Sequence, residues 1–333
     1  MKAFVLSKYG VQPELREIDV PVPGDHQLLV RVHAAGLNPV DHKARDGKIK
    51  LIYPYALPRP MGNELAGVVE ARGPGVTRFA DGDRVFARVD KRFMGAFAEH
   101  AIVHEDHAAT APSSIDLVTA AAVPLAGLTA LQVLRDELEV KPGMRLLITG
   151  GAGGVGTFAI QIAKALGAHV TTTASPRGEE LVRKLGADVV IDYTKQKLAE
   201  LPRDQDAAFD TVGADSLTGA FATVKRGGLM VSIAGMPEPT TATKDLKRGF
   251  GLATLFWLAS FTTRKAAAKN GLRYRYLFMH ESGADLAELA AMIDAGTLKP
   301  IIDRVFPFAE ASAAFSSLEQ GRAKGKILLR MLE

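Results

Sequence analysis

The run Arg145-Leu-Leu-Ile-Thr-Gly-Gly-Ala-Gly-Gly-Val-Gly156, passing directly into Thr157-Phe-Ala-Ile-Gln-Ile-Ala-Lys-Ala-Leu-Gly167, leaves this chain few folds to choose from. Leu146, Leu147 and Ile148 make a short, wholly apolar strand, as in a parallel sheet covered on both faces. Val155, Phe158, Ala159, Ile162, Ala163 and Leu166 then recur at helical spacing as one buried stripe, and Gly167 stops the helix. Between them lies a Gly-x-Gly-x-x-Gly turn on Gly151, Gly153 and Gly156. In a chain with 32 glycines that spacing alone would say little, but the strand before it and the helix behind it supply the context. The glycines let the backbone approach a pyrophosphate, and the helix N-terminus offers free N–H groups and a positive dipole end to the anion. Gly151, Ala152, Gly153, Gly154, Val155 and Gly156 are therefore candidate contacts of a dinucleotide.

The rest of the chain brackets this unit. Up to about residue 115 short strands alternate with Gly and Pro turns: Lys2–Leu6, Gln27–Ala34, Glu64–Arg72, Arg84–Ala87 and Ala96–Val103. From there helices and apolar strands alternate. A helix over Thr119–Glu137 precedes the glycine turn, then come a strand over His169–Thr173 and a helix over Gly178–Leu185. Further strands follow at Val189–Ile191, Ala208–Val212 and Leu229–Ile233. The tail reads as strands Val305–Phe308 and Lys326–Arg330 around a helix over Glu310–Glu319. We expect an α/β protein in which residues 1–122, completed by 298–333, form a β domain, and residues 123–297 form a doubly wound parallel-sheet domain inserted into it.

Composition narrows the function. The chain has no cysteine, which removes disulfides, thiol nucleophiles and cysteine-based zinc sites. Eight histidines show no helical pair suited to a metal, so no metal is expected. With 41 basic against 37 acidic residues, no nucleic-acid partner is expected; Arg273-Tyr-Arg-Tyr276 is the single basic–aromatic run. The N-terminus enters a strand at once without signal-peptide composition, and the longest apolar run, Phe250–Phe261, is too short to span a bilayer. The expectation is a cytoplasmic protein with no membrane span. Phe250–Phe261 itself reads equally as a buried helix, a substrate channel, a subunit contact or a membrane-surface patch.

The choice of dinucleotide is read from the second strand of the nucleotide domain. Domains that bind NAD end that strand on Asp or Glu for the ribose hydroxyls. Here it runs His169-Val-Thr-Thr-Thr-Ala-Ser175-Pro-Arg177 with no carboxylate before Glu179. Ser175 can hydrogen-bond a 2′-phosphate and Arg177 can pair with it, which favours NADPH. Val212, Gly213, Ala234 and Gly235 end later strands, at the sheet edge where such cofactors lie.

A set of motifs runs end to end: Gly36-Leu-Asn-Pro-Val-Asp41, Gly62-Asn-Glu-Leu-Ala-Gly67, Gly82-Asp-Arg-Val85, Gly95-Ala-Phe-Ala-Glu99, Pro124-Leu-Ala-Gly-Leu-Thr-Ala130, Leu185-Gly-Ala-Asp188, Ile191-Asp-Tyr193, Phe209-Asp-Thr-Val-Gly213 and Gly325-Lys-Ile-Leu-Leu329. With them the whole chain resembles the medium-chain dehydrogenase/reductases, in their zinc-independent quinone oxidoreductase branch. Arg273–Met279, Lys299–Asp303 and Phe306–Phe308 are similar to the reticulon-interacting oxidoreductases, and plant alkenal and enone reductases look close. The resemblance implies a GroES-like β domain plus a Rossmann domain, with the active site in the cleft between them, and a homodimer formed through the Rossmann sheet edge. Where zinc-containing members carry cysteine and histidine ligands, this chain has Asn38 and Asn63.

The resemblance also implies an activity: hydride transfer from NADPH to a quinone or to the β-carbon of an α,β-unsaturated carbonyl. It places Asn38, Tyr53, Asp41 and Thr129 around the nicotinamide. Asn38 and Tyr53 are then candidate donors to the substrate oxygen, and Tyr53 a candidate proton relay. Asn38 before Pro39 also reads as a turn, and Asp41 as a helix cap. Tyr193 would pack beside the 2′-phosphate, and Phe278 and Met279 would join the cofactor contacts. The family's usual lysine after Arg177 is Gly178 here, with Arg322 or Lys324 in the C-terminal loop as other sources of charge. An alternative from another class is an NADPH-binding structural or regulatory protein, as among the zeta-crystallin relatives.

Overall fold

In the computed structural model, which describes residues 1–331, the Gly- and Pro-punctuated N-terminal region folds into strands close to those read from its alternation. They are β1 (Lys2–Leu6), β2 (Glu14–Glu17), β3 (Gln27–Gly36), β4 (Arg59–Pro60), β5 (Glu64–Arg72), β6 (Arg84–Arg88), β7 (His100–His104) and β8 (Ala108–Thr110). Helix α1 (Pro39–Arg45) follows β3, with Asn38 at its N-cap and Pro39 in the first turn, where a missing N–H costs nothing. Only the second half of the strand expected over Ala96–Val103 joins a sheet; Ala96 and Phe97 instead donate their N–H groups to Gly62 and Met61 carbonyls.

The single helix expected over Thr119–Glu137 is broken. Short α2 (Leu117–Ala120) is followed by α3 (Pro124–Leu131), because Pro124 has no N–H with which to continue the earlier helix. Past Leu131 the coil widens into a π-helical turn over Gln132–Glu137. The division between two compact units falls inside α3. One unit is Met1–Leu128 with Glu281–Glu333, the other Thr129–His280.

The second unit carries β9 (Arg145–Ile148), α4 (Gly154–Ala165), β10 (His169–Ala174), α5 (Pro176–Lys184), β11 (Val189–Asp192), β12 (Gln205–Asp210), α6 (Ala214–Ala220), β13 (Val224–Ser232), α7 (Phe250–Ala259), α8 (Phe261–Lys269) and β14 (Arg273–Tyr276). Its six strands are all parallel, in the order β11-β10-β9-β12-β13-β14. The order reverses between β9 and β12, which makes the carboxyl ends of those strands the switch point of a doubly wound sheet. Helix α4 buries every residue from Gly156 to Ala163, not the stripe alone.

The chain then returns to the first unit with α9 (Gly283–Asp294), β15 (Ile302–Pro307), α10 (Ala311–Glu319) and β16 (Lys326–Arg330). These strands complete a seven-stranded sheet in the order β15-β16-β3-β5-β6-β8, with β7 also paired to β3. Strands β2, β1 and β4 form a separate three-stranded antiparallel sheet. The architecture is a GroES-like domain plus a Rossmann domain.

Candidate active site

The cradle at the end of β9 is built by backbone packing that only glycine allows. A Cβ on Gly156 would lie 2.2 Å from the Gly150 carbonyl oxygen, so any side chain there would push α4 off the turn. The threonines of β10 hold the turn from the side. The Thr173 hydroxyl accepts from Gly150 N–H at 2.8 Å, and the Thr173 carbonyl accepts from Gly151 N–H at 3.0 Å. Helix α4 begins at Gly154 with no side chain capping its first turn, so its leading N–H groups face an incoming anion.

Ser175 and Arg177 stand at the end of the neighbouring strand β10. Ser175 is the N-cap of α5, yet its hydroxyl caps nothing, and the exposed Arg177 enters no ion pair or hydrogen bond among the described residues. Gly178 has a steric reason: a Cβ there would lie 2.8 Å from the Ala152 Cβ, inside the glycine turn. Tyr193 follows β11 and is largely exposed. Val212 and Gly213 follow β12, Ala234 and Gly235 follow β13, and Phe278 and Met279 follow β14. Every second-unit candidate except Thr129, which lies buried in α3, thus falls on the carboxyl edge of one parallel sheet.

Asp210, at the end of β12 and fully buried, organises that edge. Its carboxylate accepts from the Thr149 hydroxyl at 2.8 Å, from Gly213 N–H at 3.1 Å and from the Ser232 hydroxyl at 2.7 Å. The Ser232 oxygen in turn accepts from Gly235 N–H at 2.8 Å. One carboxylate therefore ties together the ends of β9, β12 and β13. A second device holds the segment after β14. The Asp245 carboxylate accepts from Phe278 N–H at 2.9 Å, while the Gln132 side chain brackets the His280 backbone, donating to its carbonyl at 2.9 Å and accepting from its N–H at 3.0 Å. Asp245 is fixed by Arg275, whose buried guanidinium also pairs with Glu137 at 3.2 Å and Glu238 at 3.0 Å. Arg275 is thereby engaged inside the unit, while Arg273 of the same run stays exposed.

The first unit holds a buried polar cluster around Asn38. Both amide protons of Asn38 are donated internally, to Glu64 at 2.6 Å and to the Gly36 carbonyl at 3.2 Å. Its side-chain oxygen accepts from the Lys326 ammonium, which also donates to Glu64 at 2.6 Å and to the Leu37 carbonyl at 3.0 Å. The other Glu64 oxygen accepts from Leu125 N–H at 2.6 Å. Asp41 accepts from Asn38 N–H at 2.7 Å and from the Asn63 amide at 2.6 Å. Burial pushes the Asp41 carboxyl up to about 6, against the opposing pull of those two donors and of Lys326. Asn38 and Asp41 are brought together as the sequence suggested, but with their polar groups turned inward. Tyr53 is buried beyond α1, its N–H donating to the Ile49 carbonyl at 2.9 Å. Arg322 and Lys324 lie in the turn before β16, where Lys324 N–H donates to Asp303 at 3.0 Å.

Two family models match the chain: an alcohol dehydrogenase GroES-like domain over residues 24–113 and a zinc-binding dehydrogenase domain over residues 185–329. The mouse mitochondrial NAD(P)H oxidoreductase RTN4IP1 is 34% identical over all of this chain and 89% of its own length. The chain belongs to the medium-chain dehydrogenase/reductases, in their quinone oxidoreductase branch. Within that family it is 35% identical to the chloroplastic NADPH-dependent alkenal/one oxidoreductase of Arabidopsis thaliana, over 99% of this chain and 79% of the other. The Escherichia coli quinone oxidoreductase complexed with NADPH superposes with a TM-score of 0.82 at 28% identity, covering 99% of this chain and 100% of that one. This member of the family is a nicotinamide-dependent oxidoreductase. Although one matching model is described by zinc, no group of three or more histidine, aspartate or glutamate side chains suited to a metal gathers among the described residues.

Sequence reading missed Asp210, Ser232, Gln132 and Asp245 around the carboxyl edge of the parallel sheet, and Glu64 and Lys326 around Asn38. The Phe209-Asp-Thr-Val-Gly213 motif contained Asp210, but nothing local signals that its carboxylate reaches two other strands. The Lys326–Glu64 pair spans 262 residues and leaves no local pattern.

Proposed function

We propose that this protein is a zinc-independent, NADPH-dependent reductase that delivers hydride to a quinone or to the C=C bond of an α,β-unsaturated carbonyl. The observation that carries the cofactor choice is the pair Ser175 and Arg177. A hydroxyl and a guanidinium, neither engaged among the described residues, stand at the end of β10 where an NAD site needs a carboxylate. The cradle fits a dinucleotide because the glycine at 156 lets α4 close on the Gly150–Gly151 backbone, with its uncapped leading N–H groups available to a pyrophosphate. NADPH, when bound, supplies the hydride. The Gly151–Gly156 turn and the first N–H groups of α4 would hold its pyrophosphate. Ser175, Arg177 and Tyr193 would hold the 2′-phosphate. Val212, Gly213, Ala234, Gly235, Phe278 and Met279 would line the nicotinamide end, with Thr129 nearby.

Zinc independence is supported by the donor set. Asn38 and Asn63 stand where zinc-containing relatives have ligands, and both face internal charges: Asn38 the Lys326 ammonium, Asn63 the Asp41 carboxylate. The Lys326 ammonium, donating to Asn38 and Glu64, supplies a positive charge at that position without a metal. Asn38 and Asp41 therefore act as positioning residues in this reading, and Tyr53 is the candidate proton donor. The same reading carries a cytoplasmic location and a homodimer. Strand β14 ends the sheet, paired among the described strands to β13 alone, and supports the dimer.

The deciding assay follows oxidation of NADPH and of NADH with a panel of quinones and enones. Turnover with NADPH is expected, and Arg177→Ala should weaken NADPH binding by about 10- to 100-fold while leaving NADH unchanged. Tighter binding of NADH by the wild type would overturn the cofactor choice. Tight NADPH binding without turnover would favour the non-catalytic alternative. Loss of activity on chelation would overturn zinc independence. For Tyr53→Phe, kcat should fall by about 100-fold or more with KM little changed; an unaltered kcat would remove Tyr53 from the reaction.

A further inference from the structure

The segment from Leu246 to Asn270 is the one extended stretch whose chemistry the proposed reaction leaves unused. Helix α7 presents apolar side chains to solvent in a row: Phe250 is 88% exposed, Leu258 60%, Phe261 at the start of α8 49%, Trp257 46% and Leu255 44%. The inner side of the same helices is anchored, with Ala253, Phe256 and Ala267 buried. The outward face is therefore a fixed surface rather than a frayed end.

The charge around it has one sign. Lys247, Arg248, Arg264, Lys265 and Lys269 lie in this segment, and no acidic residue occurs between Asp245 and Glu281. Lys247, Arg264, Lys265 and Lys269 form no ion pair among the described residues. Two of the cations stand directly over the exposed rings: Arg264 at 5.4 Å from the Trp257 centroid and Lys265 at 6.0 Å from that of Phe261. Exposed aromatic and aliphatic side chains inside an all-basic rim are the composition of a helix that lies in an anionic lipid interface, rings at the acyl boundary and cations at the headgroups. A second copy of the chain would set this positive rim against itself, which charge opposes.

We propose that α7 and the start of α8 form a docking surface for an anionic phospholipid bilayer, bound peripherally and reversibly. This inference is independent of the proposed reaction. It would bring the enzyme to the phase where apolar acceptors dissolve.

The full chain carries its own reporter, because Trp257 is its single tryptophan and sits in the docking face. The experiment adds vesicles of phosphatidylcholine alone, or of phosphatidylcholine with phosphatidylglycerol, and reads Trp257 emission and flotation of the protein. With the anionic vesicles we expect a blue shift and co-flotation, both reversed by high salt. Each cation removed should weaken binding roughly fivefold, so Lys265→Glu with Lys269→Glu should lose more than tenfold. Phe250→Ser with Leu258→Ser should float no better than that pair. Both double variants change exposed side chains, and turnover with a water-soluble acceptor should stay at the wild-type rate. Three results on the wild type would overturn the proposal without any variant: no shift and no flotation with anionic vesicles, equal binding to neutral vesicles, or a blue shift that follows protein concentration with no lipid present. The last would assign the face to a second copy of the chain.

Discussion

In the first turn of α1 the Asp41 carboxylate is wholly buried. Its place three residues after Asn38 marks a helix cap, and the cap forms. Its complete burial, and its second bond to Asn63 across 22 residues, leave no local pattern. The consequence is a testable pH dependence. With its folded pKa raised to about 6, above the ordinary value of 3.8, Asp41 holds its proton more tightly when the protein is folded. Its stabilising share is therefore complete below about pH 4 and is lost as pH rises through 6, a change of about 2–3 kcal/mol. The unfolding free energy of the wild type minus that of Asp41→Asn should fall by that amount between pH 4 and 7 in urea titrations. A constant difference would show that the donors around Asp41 outweigh its burial. Gly178 gives the opposite lesson. The family pattern makes it look like a lost lysine, whereas the 2.8 Å approach to Ala152 makes it a packing requirement.

Among elements, strands were more legible than helices. Strands β5 and β16 and the strand–turn–helix at the glycines match their patterns because alternation and apolar runs are local signals. The helix expected over Thr119–Glu137 failed at Pro124 and again at the π-helical turn, and that turn has a tertiary cause. It sets Gln132 against the His280 backbone and Glu137 against Arg275. Strand β14 was missed because Arg273-Tyr-Arg-Tyr276 looks like a surface run until three carboxylates close on Arg275. Replacing Arg275 with Met would leave Glu137, Glu238 and Asp245 without their shared cation and should destabilise the protein by about 3–5 kcal/mol at neutral pH. Because the stranded carboxylates can then take up protons, the deficit should shrink as pH falls toward 5. Thermal melts at several pH values would check both the size and the direction. A deficit that grows on acidification would show that the cluster is not the cause.

On the scale of the whole molecule, the sequence reading placed a nucleotide-binding unit inside a β unit. It could not see what closes the outer unit. That closure rests on Lys326, whose ammonium reaches Leu37, Asn38 and Glu64. Lys326→Met would strand a fully buried Glu64 and should cost the first unit about 3–5 kcal/mol. Trp257 lies in the second unit, so its fluorescence follows that unit while circular dichroism follows both. The variant should show an early dichroism transition with the Trp257 transition unmoved, and coincident shifts in both signals would contradict this.

The pairing of β16 with β3 also sets a timetable for synthesis. Lys326 meets the Leu37 carbonyl across 289 residues of chain. At ribosomal rates of about 5–20 residues per second, β3 waits roughly 15–60 s for that neighbour. During the wait all of Thr129–His280 has been made and can collapse on its own sheet, while the Ala34–Gly36 end of β3 offers unpaired N–H and C=O groups to any strand nearby. A chain refolding from denaturant has β16 present from the first instant. The nascent chain does not, so the hazard of mispairing at β3 belongs to birth on the ribosome far more than to recovery from unfolding.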